Sequence, residues 1–206
     1  MIEAPQLYIG EVGCSSEHFS ISGISADTTQ VDCPRLVILE PENDYCVYKG
    51  PNDHTRFLFE SCGQKFVYGD IYREFNITDG KFGLLFLENV INDPLYSERK
   101  DFGQLSTNCK KVVAVNGLVL FNVSIFPERH VDKYVEVKKA LENKKFSVEF
   151  DDITNFNERL SDIEIRQRKT KIMHSIELTG FSDSNLITGI KTRLDSPMSY
   201  WMLLRN

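Results

Sequence analysis

The chain has 206 residues, 41% of them hydrophobic and 26% charged, with a formal net charge of −6; this make-up excludes a disordered or collagen-like chain and leaves room for a sizeable core. No apolar run approaches the roughly 20 residues that a bilayer span needs, so no membrane partner is expected. Met1-Ile2-Glu3-Ala4-Pro5 lacks the basic and then apolar pattern of a secretory signal, which predicts an intracellular protein, cytoplasmic or nuclear.

Cys14, Cys33, Cys46, Cys62 and Cys109 are dispersed and odd in number, as thiols in a reducing compartment would be. Cys46, His54 and Cys62 are evenly spaced but lack the tight pairing of structural zinc ligands, so no metal site is read. Residues 1–109 hold 8 basic and 17 acidic side chains, against 16 and 13 in residues 110–206. Such asymmetry fits a basic binding face in the second half or a contact between copies of the chain.

In chain order, Gln6 to Gly10 and His18 to Ile24 read as short edge strands. Arg35 to Leu39 and Tyr45 to Tyr48 flank a turn supplied by Pro41 and Asn43-Asp44. Thr55 to Glu60 and Lys65 to Tyr72 alternate in polarity, and Asp79-Gly80 turns the chain into an apolar strand, Lys81 to Leu87. Turn signals 8 to 12 residues apart are the rhythm of a sandwich or barrel. Residues 91–110 have no clear period and read as a long loop, either a partner-contacting segment or a boundary between two lobes of what is otherwise one domain over 1–206.

Val112 to Phe126 is apolar on successive residues except at Asn116-Gly117. That pair suits a type I′ turn, and the stretch is expected to be a central hairpin covered on both faces. Glu128 to Lys145 follows Pro127 as an amphipathic helix, with Val131, Tyr134, Val135 and Leu141 on one face, acids near its start and lysines near its end. Phe146 to Phe150 is expected to return as a strand. Ile163 to Lys171 and Ile172 to Leu178 read as one long strand or a hairpin with His174 buried, and Leu186 to Leu194 and Met198 to Leu204 read as the last strands, with Trp201 and Leu203 buried together. The predicted fold is mainly β: an antiparallel sandwich or barrel with one amphipathic helix, about 127–145, packed on it.

No nucleophile elbow, phosphate-binding glycine loop or dinucleotide fingerprint is found, so no catalytic, cofactor-binding or metal-binding residue is assigned. Arg166, Arg168, Lys169 and Lys171 form the densest basic cluster, which on an exposed strand could track a phosphate backbone. Glu149, Asp151 and Asp152, with the Glu136-Val137-Lys138 triplet, are the fragments that a metal-dependent nuclease would need. The resulting expectation is a non-catalytic, β-rich interaction or assembly subunit that binds a protein partner or its own copies. Nucleic-acid binding through 166–171 is the alternative, and a nuclease the remote one.

Overall fold

The computed structural model describes residues 8–12, 36–40, 65–68, 71–72, 82–88, 90–91, 101–124, 127–156, 160–181 and 185–206. The strands are β1 (Tyr8–Val12), β2 (Leu36–Glu40), β3 (Lys65–Tyr68), β4 (Phe82–Glu88), β5 (Val113–Val123), β6 (Ser147–Asp151) and β7 (Tyr200–Arg205). The helices are α1 (Phe102–Val112), α2 (Val131–Asn143), α3 (Asp162–Glu177) and α4 (Asn185–Leu194). All seven strands form one sheet in the order β3-β2-β1-β4-β5-β7-β6. Pairing is parallel from β3 through β5, and β7 runs antiparallel to both β5 and β6.

Both faces of β4, β5 and β7 are covered. Leu85 and Leu87 of β4, Val119 and Phe121 of β5, and Met202 and Leu204 of β7 pack with Leu105, Cys109 and Val112 of α1 and Tyr134, Val137 and Leu141 of α2. The alternate residues, Leu84, Phe86, Leu118, Leu120, Trp201 and Leu203, pack with Ile172 and Ile176 of α3 and Ile187, Ile190 and Leu194 of α4. Steps of three and four residues along each helix, against steps of two along each strand, put these side chains on facing surfaces. Phe86 and Trp201 stack with ring centroids 6.0 Å apart.

The predicted β-sandwich is therefore corrected to a three-layer α/β arrangement. Strands apolar on successive residues are what parallel strands between two helical layers require, and a sandwich needs alternation instead. β1, expected at an edge, pairs on both sides. The helix expected over 127–145 is present as a 3-10 turn, Pro127–Arg129, followed by α2. The strand expected after it is β6. Of the loop read over 91–110, residues 102–110 lie in α1, whose cap residue Asp101 accepts the Gln104 N–H at 2.9 Å.

The strands expected over 163–178 and 186–194 are α3 and α4. A capping box opens α3, Ser161 accepting from the Glu164 N–H while the Glu164 carboxylate accepts from the Ser161 N–H, and the signature Ser-x-x-Glu was present in the sequence. His174, expected buried, is exposed on α3. Predicted strands at 18–24, 45–48 and 55–60 lie outside the described residues. No helix among the described residues is long and apolar enough to cross a membrane.

The hairpin expected at Asn116-Gly117 is absent, since β5 continues through it as one strand. The pair forms an irregularity instead: two steps along β4, Phe82 to Leu84, span five along β5, Val113 to Leu118. Asn116 carries the positive φ, 63°. Its N–H donates to Asn206 O at 3.0 Å, and the Asn206 N–H donates to Gly117 O at 2.9 Å. A Cβ on Gly117 would lie 2.8 Å from Phe82 O and 2.9 Å from Ala114 O, both backbone atoms. Gly117→Ala should thus lower the unfolding free energy by about 1 to 3 kcal/mol through overpacking, whereas Asn116→Gly should be near neutral; urea titrations of the two variants check this.

Candidate functional site

In an open α/β sheet, ligands bind outside the carboxyl ends of the strands, where the strand order reverses. Here the chain runs outward from β1 to β2 and β3, then returns to the other side of β1 with β4. Val12, the last residue of β1, is in register with Leu39 on one side and Leu87 on the other. The next residues are Glu40 and Glu88, so two acidic positions flank the end of β1 at one level of the sheet. Gly13-Cys14-Ser15-Ser16 follows β1 in sequence.

Glu88 is held by an ion pair with Arg193 from the last turn of α4, its own side chain only 10% exposed. The line continues across the sheet, because Glu88 is in register with Asn122, and Asn122 with Trp201. Asn122 is fully buried and donates from Nδ2 to Ser199 Oγ and to Tyr200 O.

Arg168 secures the far end of this edge. Its guanidinium is fully buried, donates to the carbonyls of Leu194, Ser196 and Ser199, and meets Asp152 Oδ2 at 3.4 Å. The other Asp152 oxygen accepts the Trp201 N–H, and the Asp152 N–H donates to Trp201 O at 3.0 Å. One side chain of α3 therefore fixes the turn between α4 and β7 against the end of β6. Burial pushes the Asp152 carboxyl up to about 6, against the pull of the Trp201 N–H and of Arg168. Burial likewise lowers the Arg168 pKa, opposed by Asp152.

The basic cluster read from the sequence lies on a helix, and its four members part company. Arg168 is the buried anchor, Lys169 pairs with Asp195 at 2.6 Å, and Arg166 and Lys171 are exposed. The carboxylates considered for a nuclease are each engaged separately. Asp151 pairs with Lys138 at 2.7 Å, and Glu149 with Arg205 and with the Ser175 hydroxyl. Burial raises the Glu149 carboxyl, and the hydrogen bonds from Arg205 and Ser175, with the charges of Arg205 and His174, together bring it below its ordinary value. Glu136 is exposed on α2 rather than on a strand, and no cluster of three metal-ligating side chains occurs among the described residues. Cys109 is buried, its thiol pushed up to about 12, which suits packing rather than nucleophilic chemistry.

Sequence reasoning missed Glu40, Glu88, Asn122 and Arg193. Glu40 and Glu88 each close an apolar run, Leu-Val-Ile-Leu and Phe-Gly-Leu-Leu-Phe-Leu, and a run ending in an acid is the available signal for the carboxyl end of a buried strand. Asn122 and Arg193 had no comparable signal.

No family model matches the sequence, and no curated protein matches it. Among solved structures, the chain is similar to an S-adenosylmethionine-dependent methyltransferase from Mesorhizobium loti, at 13% identity and a TM-score of 0.48 over 97% of this chain and 91% of that one. It is also similar to precorrin-6y C5,15-methyltransferase from Geobacter metallireducens, at 11% identity and a TM-score of 0.48 over 97% and 79%. An N-methyltransferase from Bradyrhizobium japonicum, at 11% and 0.44 over 97% and 85%, is a third. The α/β fold stands on the strand order and directions of this chain itself. The expectation of a non-catalytic assembly subunit rested on a β-sandwich, the loop read at 91–110, the asymmetry of charge and the lack of a catalytic signature. The single doubly wound sheet removes the β-sandwich on which it rested.

Asp152 gives a pH test. An acid whose folded pKa lies above its unfolded value contributes most below the unfolded value, and loses that contribution as pH rises through the folded one. The wild-type unfolding free energy should fall relative to that of Asp152→Asn between pH 3.8 and about 6, then run parallel to it. Arg168→Met should cost about 3 to 5 kcal/mol at neutral pH, because it strands a buried carboxylate. Both follow from urea titrations.

Proposed function

We propose that this chain is a methyltransferase that binds a nucleoside cofactor, S-adenosylmethionine, across the carboxyl ends of β1 and β4. The observation that carries the reading is the reversal of strand order beside β1, with Glu40 and Glu88 one residue past Val12. An acid at the end of the strand next to β1 is the position from which a carboxylate can accept both hydroxyls of a ribose. Glu40 holds that position.

The segment after β1 narrows the ligand. Dinucleotides need a second glycine there, so that the backbone can approach the pyrophosphate. Gly13-Cys14-Ser15-Ser16 has only the first. A nucleoside without phosphates makes no such demand, and S-adenosylmethionine is one. When bound, it supplies an electrophilic sulfonium methyl, leaving the protein to orient the acceptor and exclude water. Glu88, tied to Arg193, joins the last turn of α4 to the carboxyl end of β4, beside the proposed cofactor.

Isothermal titration calorimetry tests this directly. S-adenosylmethionine and its demethylated product should bind with dissociation constants on the order of 1 μM to 1 mM, while NAD shows no binding. Glu40→Ala should weaken both nucleosides about tenfold or more, the loss of hydrogen bonds to a charged acceptor. Absence of binding by both at millimolar concentration, with the protein folded, would overturn the reading.

A further inference from the structure

We propose that Asn122 and Trp201 hold one buried water molecule between them, beneath α4 at the carboxyl end of the sheet. The two are register partners on β5 and β7, and both are fully buried. Trp201 packs on the face that α3 and α4 cover, and Asn122 follows Leu118 and Leu120 at alternate positions, which sends its side chain to that same face.

The orientation of the Asn122 amide is settled by its partners. Its Nδ2 donates to Ser199 Oγ and, at 3.3 Å, to Tyr200 O. A backbone carbonyl can only accept, so turning the amide would set two acceptors against each other. Asn122 Oδ1 is then left with no hydrogen-bond partner, and the Trp201 Nε1–H has none either. An acceptor and a donor, each buried and unsatisfied, thus belong to two residues paired across one strand pair and directed to the same face. Buried polar groups are rarely left so, and the full desolvation cost falls on any that are.

A single water satisfies both, accepting from the indole and donating to the amide. Ser199, also buried, already accepts from Asn122 through its oxygen and still has its own hydroxyl proton to give. That makes three hydrogen bonds, the usual complement of a buried water. A metal ion does not suit the place, since the indole offers only a proton.

Trp201 is the sole tryptophan, so a ¹⁵N-labelled sample gives one indole N–H signal that reports on this site alone. The wild type should show a nuclear Overhauser effect between that proton and a long-lived water, and Asn122→Leu should abolish it. In a double-mutant cycle, Asn122→Leu and Trp201→Phe should each raise the unfolding constant about tenfold, and the double variant by clearly less than the product, because replacing both partners by apolar groups removes the unsatisfied atoms together. No water effect on the wild-type indole, a crystal structure with a direct Nε1 to Oδ1 bond, or multiplicative effects in the cycle would each overturn the proposal. The spectroscopic arm needs only the wild-type protein, so poor folding of a variant does not blunt it.

Discussion

β4, β5 and β7 are apolar on both faces, and that constraint organises the described chain. They present Leu84, Phe86, Leu118, Leu120, Trp201 and Leu203 to one side and Leu85, Leu87, Val119, Phe121, Met202 and Leu204 to the other. Neither set can face water without a large hydrophobic cost. The β4 to β5 connection crosses over between parallel strands and carries α1, and the β5 to β6 connection carries α2; these cover the first face. β6 and β7 are antiparallel neighbours that a short hairpin could join. The connection between them instead contains α3 and α4, and these cover the second face.

Joining two antiparallel neighbours through two helices creates a problem of its own, because the chain must come back from α4 into the sheet between β5 and β6. Arg168 meets it. Fully buried, it takes up the carbonyls of the returning turn, Leu194, Ser196 and Ser199, and its charge is met by Asp152 at the end of β6. An apolar side chain could fill the volume but could not satisfy three converging carbonyls in a place that excludes water. The rise of the Asp152 pKa to about 6 records how costly the burial is. A second arginine, Arg193, links the end of α4 to Glu88 beside the strand-order reversal, so the helical segment is attached to the carboxyl edge at two separated points.

That attachment relates the fold to the candidate site. A parallel sheet sends every connection out of the carboxyl edge, which leaves a crevice where the connections diverge. In this chain two acidic positions, on the strands either side of β1, and the last turn of α4 lie at that edge, and the register line Glu88, Asn122, Trp201 crosses the sheet from there at one level.

Strand positions were legible in the residues, but the fold class was not: Phe102–Val112 read as loop, and Asp162–Glu177 and Asn185–Leu194 read as strands. The sequence placed β1 to β4, β6 and β7 to within a few residues, read β5 as the two arms of a hairpin, and located the amphipathic α2 and the break in regularity at Asn116-Gly117. Local pattern could not decide what that break was. Asn-Gly suits a hairpin, and only the Asn206 backbone, arriving from the end of the chain to bond Asn116 and Gly117, makes it an irregularity within one strand. Nor could pattern show that Arg168 is an anchor and Arg166 a surface group, since two residues on a helix point to nearly opposite sides and the helix itself was read as a strand. The sequence by itself determined that two apolar runs are closed by acids, Glu40 and Glu88. Tertiary structure alone decided the order of the strands in the sheet, because parallel pairing joins residues distant in the chain, and with that order it placed those two acids on either side of β1.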